Sequence, residues 1–273
     1  MKSEIHTSKK MQKIISEIAV TAGYLWQKGW AECSAGNLSV DVTDCAGNAK
    51  GKDRPRFRKM NHVIPEIKNN CYLVTLSGSR MRDVAADPGN NLCMIRISEG
   101  GDGYSIVWGG ENENTLPTSE LSSHLAIYRM LRQTSRPQKA IVHTQPAEFI
   151  ALSHITKYRD EKILNNLLWS LQPETIIINP KGIGIVPYFI TGSDELAAAT
   201  REKLKNHNIV LWEKHGTVAV GDTITEAFDL TDVYVKSAQV YFLCKSAGCE
   251  PEGLSIKQLK ELVKRFALKA DDL

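Results

Sequence analysis

A chain of 273 residues, 42% hydrophobic and 24% charged, can bury a substantial core and has the balance of a soluble globular protein. Its net charge of +3, from 34 basic and 31 acidic residues, is too small to point to nucleic acid or an acidic membrane as a partner. The longest apolar runs fall far short of a membrane span, and MKSEIHTSKKMQK has no apolar stretch after its charges, so a cytoplasmic protein without a secretory leader is expected.

Met11, Ile14, Ile15, Ile18, Ala22, Leu25 and Trp26 keep helical spacing, which predicts a helix from about residue 9 that Gly29 ends. AGNLSVDV follows, with Leu38, Val40 and Val42 alternating as in a half-buried strand. Residues 43 to 70 are polar, and the basic GKDRPRFRK within them reads as a solvated loop, because Asp53 and Pro55 break any basic face. CYLVTLSGS is a strand ending in a small-residue turn, and MIRIS with YSIVWGG flanks GGDG as a β-hairpin. In PTSELSSHLAIYRML, Pro117 enters a turn, Thr118 or Ser119 can cap, and Glu120 falls in the first turn of a helix. A strand at 140 to 145 stops at Pro146, after which a new helix starts.

Strand signals return at TIIIN (175 to 179) and GIGIVPY (182 to 188). Ser193 can cap a helix running to about His207, and NIVLW and TVAVG are strands that bracket EKHG. Thr223 and Glu226 form a capping box for a long helix that Gly248 can end. Six cysteines, at 33, 45, 71, 93, 244 and 249, contain no CxxC pair and read as reduced thiols rather than a disulfide framework. Strands and helices mix along the whole length, and several strand pairs are joined by turns too short for a parallel crossover. The expected fold is therefore α/β: one domain over 1–273, three layers, with a central, largely antiparallel sheet flanked by helices.

Three polar clusters stand where strands end or helices begin: Gly36-Asn37, Ser77-Gly78-Ser79 and Thr118-Ser119-Glu120. Small hydroxyls and free backbone N–H groups at such places suit a phosphate, although each alone is usually a turn. IVHTQPAEF adds a further signal. His143 and Gln145 stand two apart, so on a strand they share a face, and two histidines so placed would suggest a metal site. His215 sits in the tight loop WEKHGT. Taken singly, each histidine is more often an ordinary core or surface residue, and His124, on the apolar stripe of its helix, reads as a core histidine.

The order of the segments is more specific. WQKGWAECSAGNLSV, LSGSRMRD, PTSELSSHL, VHTQP, GIGIVPY and LWEKHGTVAVG, in that order, resemble the class II aldolase and adducin family from about residue 15 to 265. The resemblance implies retro-aldol cleavage of a ketose 1-phosphate to dihydroxyacetone phosphate and L-lactaldehyde, in a homotetramer. It implies a zinc ion held by three histidines, whose positions fall on His143, Gln145 and His215. It places the catalytic carboxylate on Glu120 and the substrate phosphate on Gly36, Asn37, Ser77, Gly78 and Ser119.

The sequence departs from that pattern in three places. An amide carbonyl is a weaker zinc donor than an imidazole, so Gln145 implies a weakened metal site. Ser34 replaces an asparagine of the family. Ser170 stands where the family has an aldehyde-side glutamate, with Glu174 the nearest carboxylate and Tyr188 another protic group. Two other readings stay open on the same scaffold: a catalytically impaired binding or assembly module, and a sugar-phosphate 4-epimerase.

Overall fold

The structure, a computed structural model, describes residues 8–47, 57–110 and 115–270. Among these residues nine strands form one sheet: β1 (Asn37–Asp41), β2 (Phe57–Lys59), β3 (Cys71–Thr75), β4 (Leu92–Ile97), β5 (Gly103–Gly109), β6 (Ala140–Thr144), β7 (Ile183–Val186), β8 (Ile209–Trp212) and β9 (Gly216–Gly221). Their order is β2-β5-β4-β3-β1-β6-β9-β8-β7. Every pairing is antiparallel except β7 with β8, which are joined by the Asp194–Lys203 helix as a crossover. MIRIS and YSIVWGG form the expected hairpin, and the VHT strand lies at the centre of the sheet.

Both sheet faces are covered. Leu38, Val40, Val142 and Ala219 pack on one side into a core with residues of the Lys9–Gln27, Ala147–His154 and Ile224–Ser246 helices. Val74, Ile141, Val218 and Val220 pack on the other with the Leu121–Gln133 and Asp194–Lys203 helices. This explains one difference from the sequence pattern. β1 alternates as expected, but it is buried on both faces, because Ser39 points into hydrogen bonds rather than into water. Polar alternation on a central strand is here a mark of a buried network.

Helix ends follow local chemistry. Ser8, Ser193 and Thr223 each accept a backbone N–H with their side-chain oxygen, and Gly29 and Gly248 take left-handed backbone after their helices. TIIIN is a correction: Pro173–Ile178 is a helix, not a strand. Pro173 presets the first turn. Burial then overrides β-propensity, with the Thr175 hydroxyl bonded to Ser237 at 2.7 Å and Ile176 packed with Trp169 and Leu259 in a small third cluster. Residues 51–56 of the basic stretch lie outside the described residues, and Phe57–Lys59 pair with β5 as an edge strand. No helix among the described residues is long and apolar enough to cross a membrane.

Candidate active site

His143 is fixed by its strand. It lies opposite Asn37 on β1 and Val218 on β9, so the three side chains share one sheet face. The ring is 1% exposed, and its Nδ1 lies 2.9 Å from the Thr217 carbonyl. A carbonyl only accepts, so Nδ1 carries a proton and Nε2 is the nitrogen that points inward. That Nε2 faces Glu120 Oε2 at 3.4 Å.

Glu120 reaches this point from the opposite layer. It is the N-cap residue of the Leu121–Gln133 helix rather than a first-turn residue, with φ −96° and ψ 17°. Neither Thr118 nor Ser119 caps that helix. Leu76 bridges Pro117, and the N–H groups of Ser77 and Thr118 donate to Leu116 and Thr75, so residues 116 to 118 pair with the chain at the end of β3 instead. The Thr118 hydroxyl accepts the Glu120 N–H at 3.3 Å, which turns the Glu120 side chain down to the sheet.

His215 completes the group from the three-residue loop between β8 and β9. Lys214 takes left-handed backbone at φ 60°, and its N–H is held by Ser153 Oγ at 2.8 Å. His215 Nε2 then lies 3.6 Å from Glu120 Oε1. The Trp212 ring walls the site, with centroids 4.7 Å from His143 and 5.0 Å from His215. Trp212, 2% exposed, is thus both core packing and the side of the site.

Burial acts to raise the Glu120 pKa. The neighbouring His143 imidazole, the Asn37 hydrogen bond and then the His215 and His124 imidazoles outweigh it and hold the carboxyl below its usual range. Burial, then repulsion from His143, pushes His215 down to about 4, so at neutral pH it is an uncharged imidazole. The Glu120 oxygen and His143 Nε2, 3.4 Å apart, attract when a proton or a metal cation stands between them. One ligand atom from each of Glu120, His143 and His215 lies within 4.8 Å of the others. Two imidazoles and a carboxylate are a donor set that catalytic zinc sites use, so the residues fit a divalent cation.

A buried hydrogen-bonded chain stands behind the carboxylate, and its directions can be derived. Asn37 Nδ2 donates to Glu120 Oε2 at 2.8 Å, so its Oδ1 must accept from His124 Nε2, 2.5 Å away. His124 Nδ1 is then an acceptor and takes the Ser39 hydroxyl at 2.6 Å, with Tyr128 OH 2.8 Å from the same Ser39 oxygen. Burial pushes the fully enclosed His124 down to about 4, consistent with the neutral tautomer this requires. His124 is therefore more than a core histidine. Its signal was in the sequence: Glu120 and His124 are four apart on a helix, and Asn37 and Ser39 two apart on a strand. His124→Phe will leave Asn37 Oδ1 without its donor. It should cost about 1–3 kcal/mol of stability in denaturant unfolding and lower turnover. Unchanged stability and unchanged turnover together would remove His124 from this role.

The remaining residues singled out by sequence fall as follows. Gly36 has φ +74°, and a Cβ there would meet the His143 carbonyl at 3.0 Å, so β1 can enter this close to β6 only with glycine. Ser77 and Gly78 are exposed on the turn after β3, and Gly78 has φ +78° with open space around it. Ser119 is exposed, and Gly192 lies against its carbonyl. Gln145 follows β6, half-buried, with its N–H on the Trp30 carbonyl at 2.8 Å and its Cγ against Gly216. Ser34 and Glu174 are exposed, and Tyr188 is 62% exposed on the loop after β7. The Ser170 hydroxyl is turned back onto the Leu167 carbonyl at 2.7 Å.

A largely antiparallel sheet between helices is the scaffold this chain shares with the class II aldolases, which are metal-dependent, and two histidines and a glutamate converge at its centre as a candidate metal site. The chain belongs to the class II aldolase and adducin family: the Class II Aldolase and Adducin N-terminal domain matches residues 16–242. A rhamnulose-1-phosphate aldolase of Bacteroides thetaiotaomicron is 39% identical over 98% of this chain and 99% of its own length. One from Escherichia coli O139:H28 is 35% identical over 89% of each chain. Among solved structures, a sugar-phosphate aldolase from Thermotoga maritima superposes with a TM-score of 0.73 at 31% identity, covering 89% of this chain and all of that one. An L-fuculose 1-phosphate aldolase shares the fold, with a TM-score of 0.63 at 20% identity over 94% of this chain and 97% of its own. Within the family this chain is a class II aldolase, a lyase.

Proposed function

We propose that the chain, acting as one domain over residues 1–273, cleaves L-rhamnulose 1-phosphate to dihydroxyacetone phosphate and L-lactaldehyde. The observation that carries this reading is the convergence of the Glu120 carboxylate on the Nε2 atoms of His143 and His215. The nearly full-length similarity to two rhamnulose-1-phosphate aldolases supports the choice of sugar.

Cleavage takes the proton from the C4 hydroxyl as C3–C4 breaks and C4 becomes the aldehyde carbon. It leaves an electron pair at C3 that must be stabilised and then protonated, so one proton is lost at the C4 oxygen and one is gained at C3. A divalent cation, proposed to be zinc, bound by His143, His215 and Gln145 or Glu120, would supply Lewis-acid stabilisation of the charge that spreads to the carbonyl oxygen. Glu120 is the group that carries a proton to and from C3 as general acid and base. It is suited to this because its resting form is ionised and because Asn37 holds one oxygen, leaving the other to turn toward the substrate. Ser77, Gly78 and Ser119 are proposed to hold the phosphate through exposed hydroxyls and backbone N–H groups, with Gly36 shaping the entrance. Asn37 has at most one N–H left for it, since its oxygen and its other N–H are already engaged. A homotetramer is proposed, supported by the apolar Tyr188 and Ile190, 62% and 73% exposed, on the loop that leads to Gly192 against Ser119.

The test is release of dihydroxyacetone phosphate from L-rhamnulose 1-phosphate by purified protein of measured metal content. A C4-epimerised ketose phosphate as sole product would make the chain an epimerase, and no turnover with metal fully bound would leave a binding module. Gln145→His should raise the amount of zinc that survives dialysis, because an imidazole replaces an amide oxygen. Equal zinc retention by the parent and the variant would place Gln145 outside the ligand shell.

A further inference from the structure

The long Ile224–Ser246 helix ends in a turn that brings two thiols together. In a helix that simply continued, residues 244 and 249 would lie about 140° apart around the axis. Gly248 instead takes φ +78°. Its N–H donates to the Lys245 carbonyl at 3.0 Å, and the Cys249 N–H donates to the Cys244 carbonyl, also at 3.0 Å. That pair of bonds is a Schellman cap, a motif in which the side chains at these two positions commonly touch. Here both are cysteines. The Cys249 thiol donates to the Cys244 carbonyl at 3.3 Å, so the two side chains share the same turn. Cys249 is exposed and Cys244 half-buried. No CxxC spacing announces the pair, because the backbone reversal at Gly248 makes it.

We propose that Cys244 and Cys249 form a reversible disulfide on reaction with a hydroperoxide, making this helix end an oxidation-sensitive modification site. The exposed Cys249 thiolate attacks the peroxide oxygen. The O–O bond breaks, sulfur becomes a sulfenic acid, and the leaving oxygen departs as an alcohol or water. Cys244 sulfur then attacks Cys249 sulfur. The S–S bond forms, the S–OH bond breaks, and hydroxide leaves as water with the Cys244 proton. Two thiols are oxidised and one peroxide is reduced. Burial, then the Cys249 neighbour, raises the Cys244 pKa, which suits it to the second step rather than the first.

Trypsin makes the test direct, because Lys245 lies between the two cysteines. The folded full-length chain is treated with hydrogen peroxide, alkylated, digested and weighed. The expected result is that the peptides spanning 237–245 and 246–257 run as one species, two hydrogens lighter than their sum, and separate again with dithiothreitol. Cys249→Ser should return the 237–245 peptide free, with Cys244 alkylated. Recovery of both parent peptides separately, with Cys249 alkylated or carried on to sulfinic acid, would overturn the proposal. So would a link from Cys249 to any other cysteine or to a second chain.

Discussion

Glu120→Gln will keep the fold and lose aldol cleavage by about two to four orders of magnitude, the range that one general acid–base group contributes. The substitution is nearly isosteric at a site 3% exposed. A glutamine oxygen can still accept from Asn37, and its amide can face the imidazole nitrogens, so stability should move little. The amide can neither take nor give the proton that C3 needs. Because Glu120 also lies among the candidate metal donors, the assay must be run with metal in excess and the bound metal measured. Lost turnover in a metal-loaded variant assigns the proton to Glu120. Turnover close to the parent's would remove Glu120 from the chemistry, and turnover restored only by added metal would make it a ligand alone.

Much of the scaffold was legible because each signal was local. Ser193 and Thr223 capped where a hydroxyl preceded a helical pattern, and the hairpin around GGDG followed from its turn. TIIIN misled for the opposite reason. Three isoleucines favour a strand, but the packing of Ile176 against Trp169 and Leu259 comes from distant segments that no local rule contains. The site divides in the same way. His143, His215 and Glu120 could be named through a resemblance in segment order, yet their meeting depends on pairing of β6 with β9 and on the short bridge at Leu76 and Pro117. The chain from Tyr128 through Ser39 and His124 to Asn37 was hidden because each member, judged alone, has an ordinary role in a core or a turn. Only the face-to-face placement of β1 and the Leu121–Gln133 helix joins them.

His143→Ala and His215→Ala are expected to agree in one measurement and part in another. Each removes an Nε2 donor from a group of three whose ligand atoms lie within 4.8 Å. Each should therefore lower metal affinity by more than the roughly 10–100-fold typical of losing an outer-shell partner, and purified protein should come out close to metal-free by elemental analysis. Their stability costs differ in origin. His143 is 1% exposed, supports Trp212, and gives its Nδ1 proton to the Thr217 carbonyl in the middle of the sheet. Its removal opens a cavity and costs that carbonyl a partner, about 1–3 kcal/mol for the lost bond alone before any packing loss. His215 has a side chain 16% exposed at a loop tip, so solvent can fill its place and the cost should be smaller. Denaturant unfolding of the two variants, both stripped of metal, measures that difference. Metal retained by either variant at the parent's level would take that histidine out of the site. Equal stability losses would mean that the Thr217 bond does not hold the His143 ring in solution, and with it would go the fixed tautomer on which the inward-facing Nε2 depends.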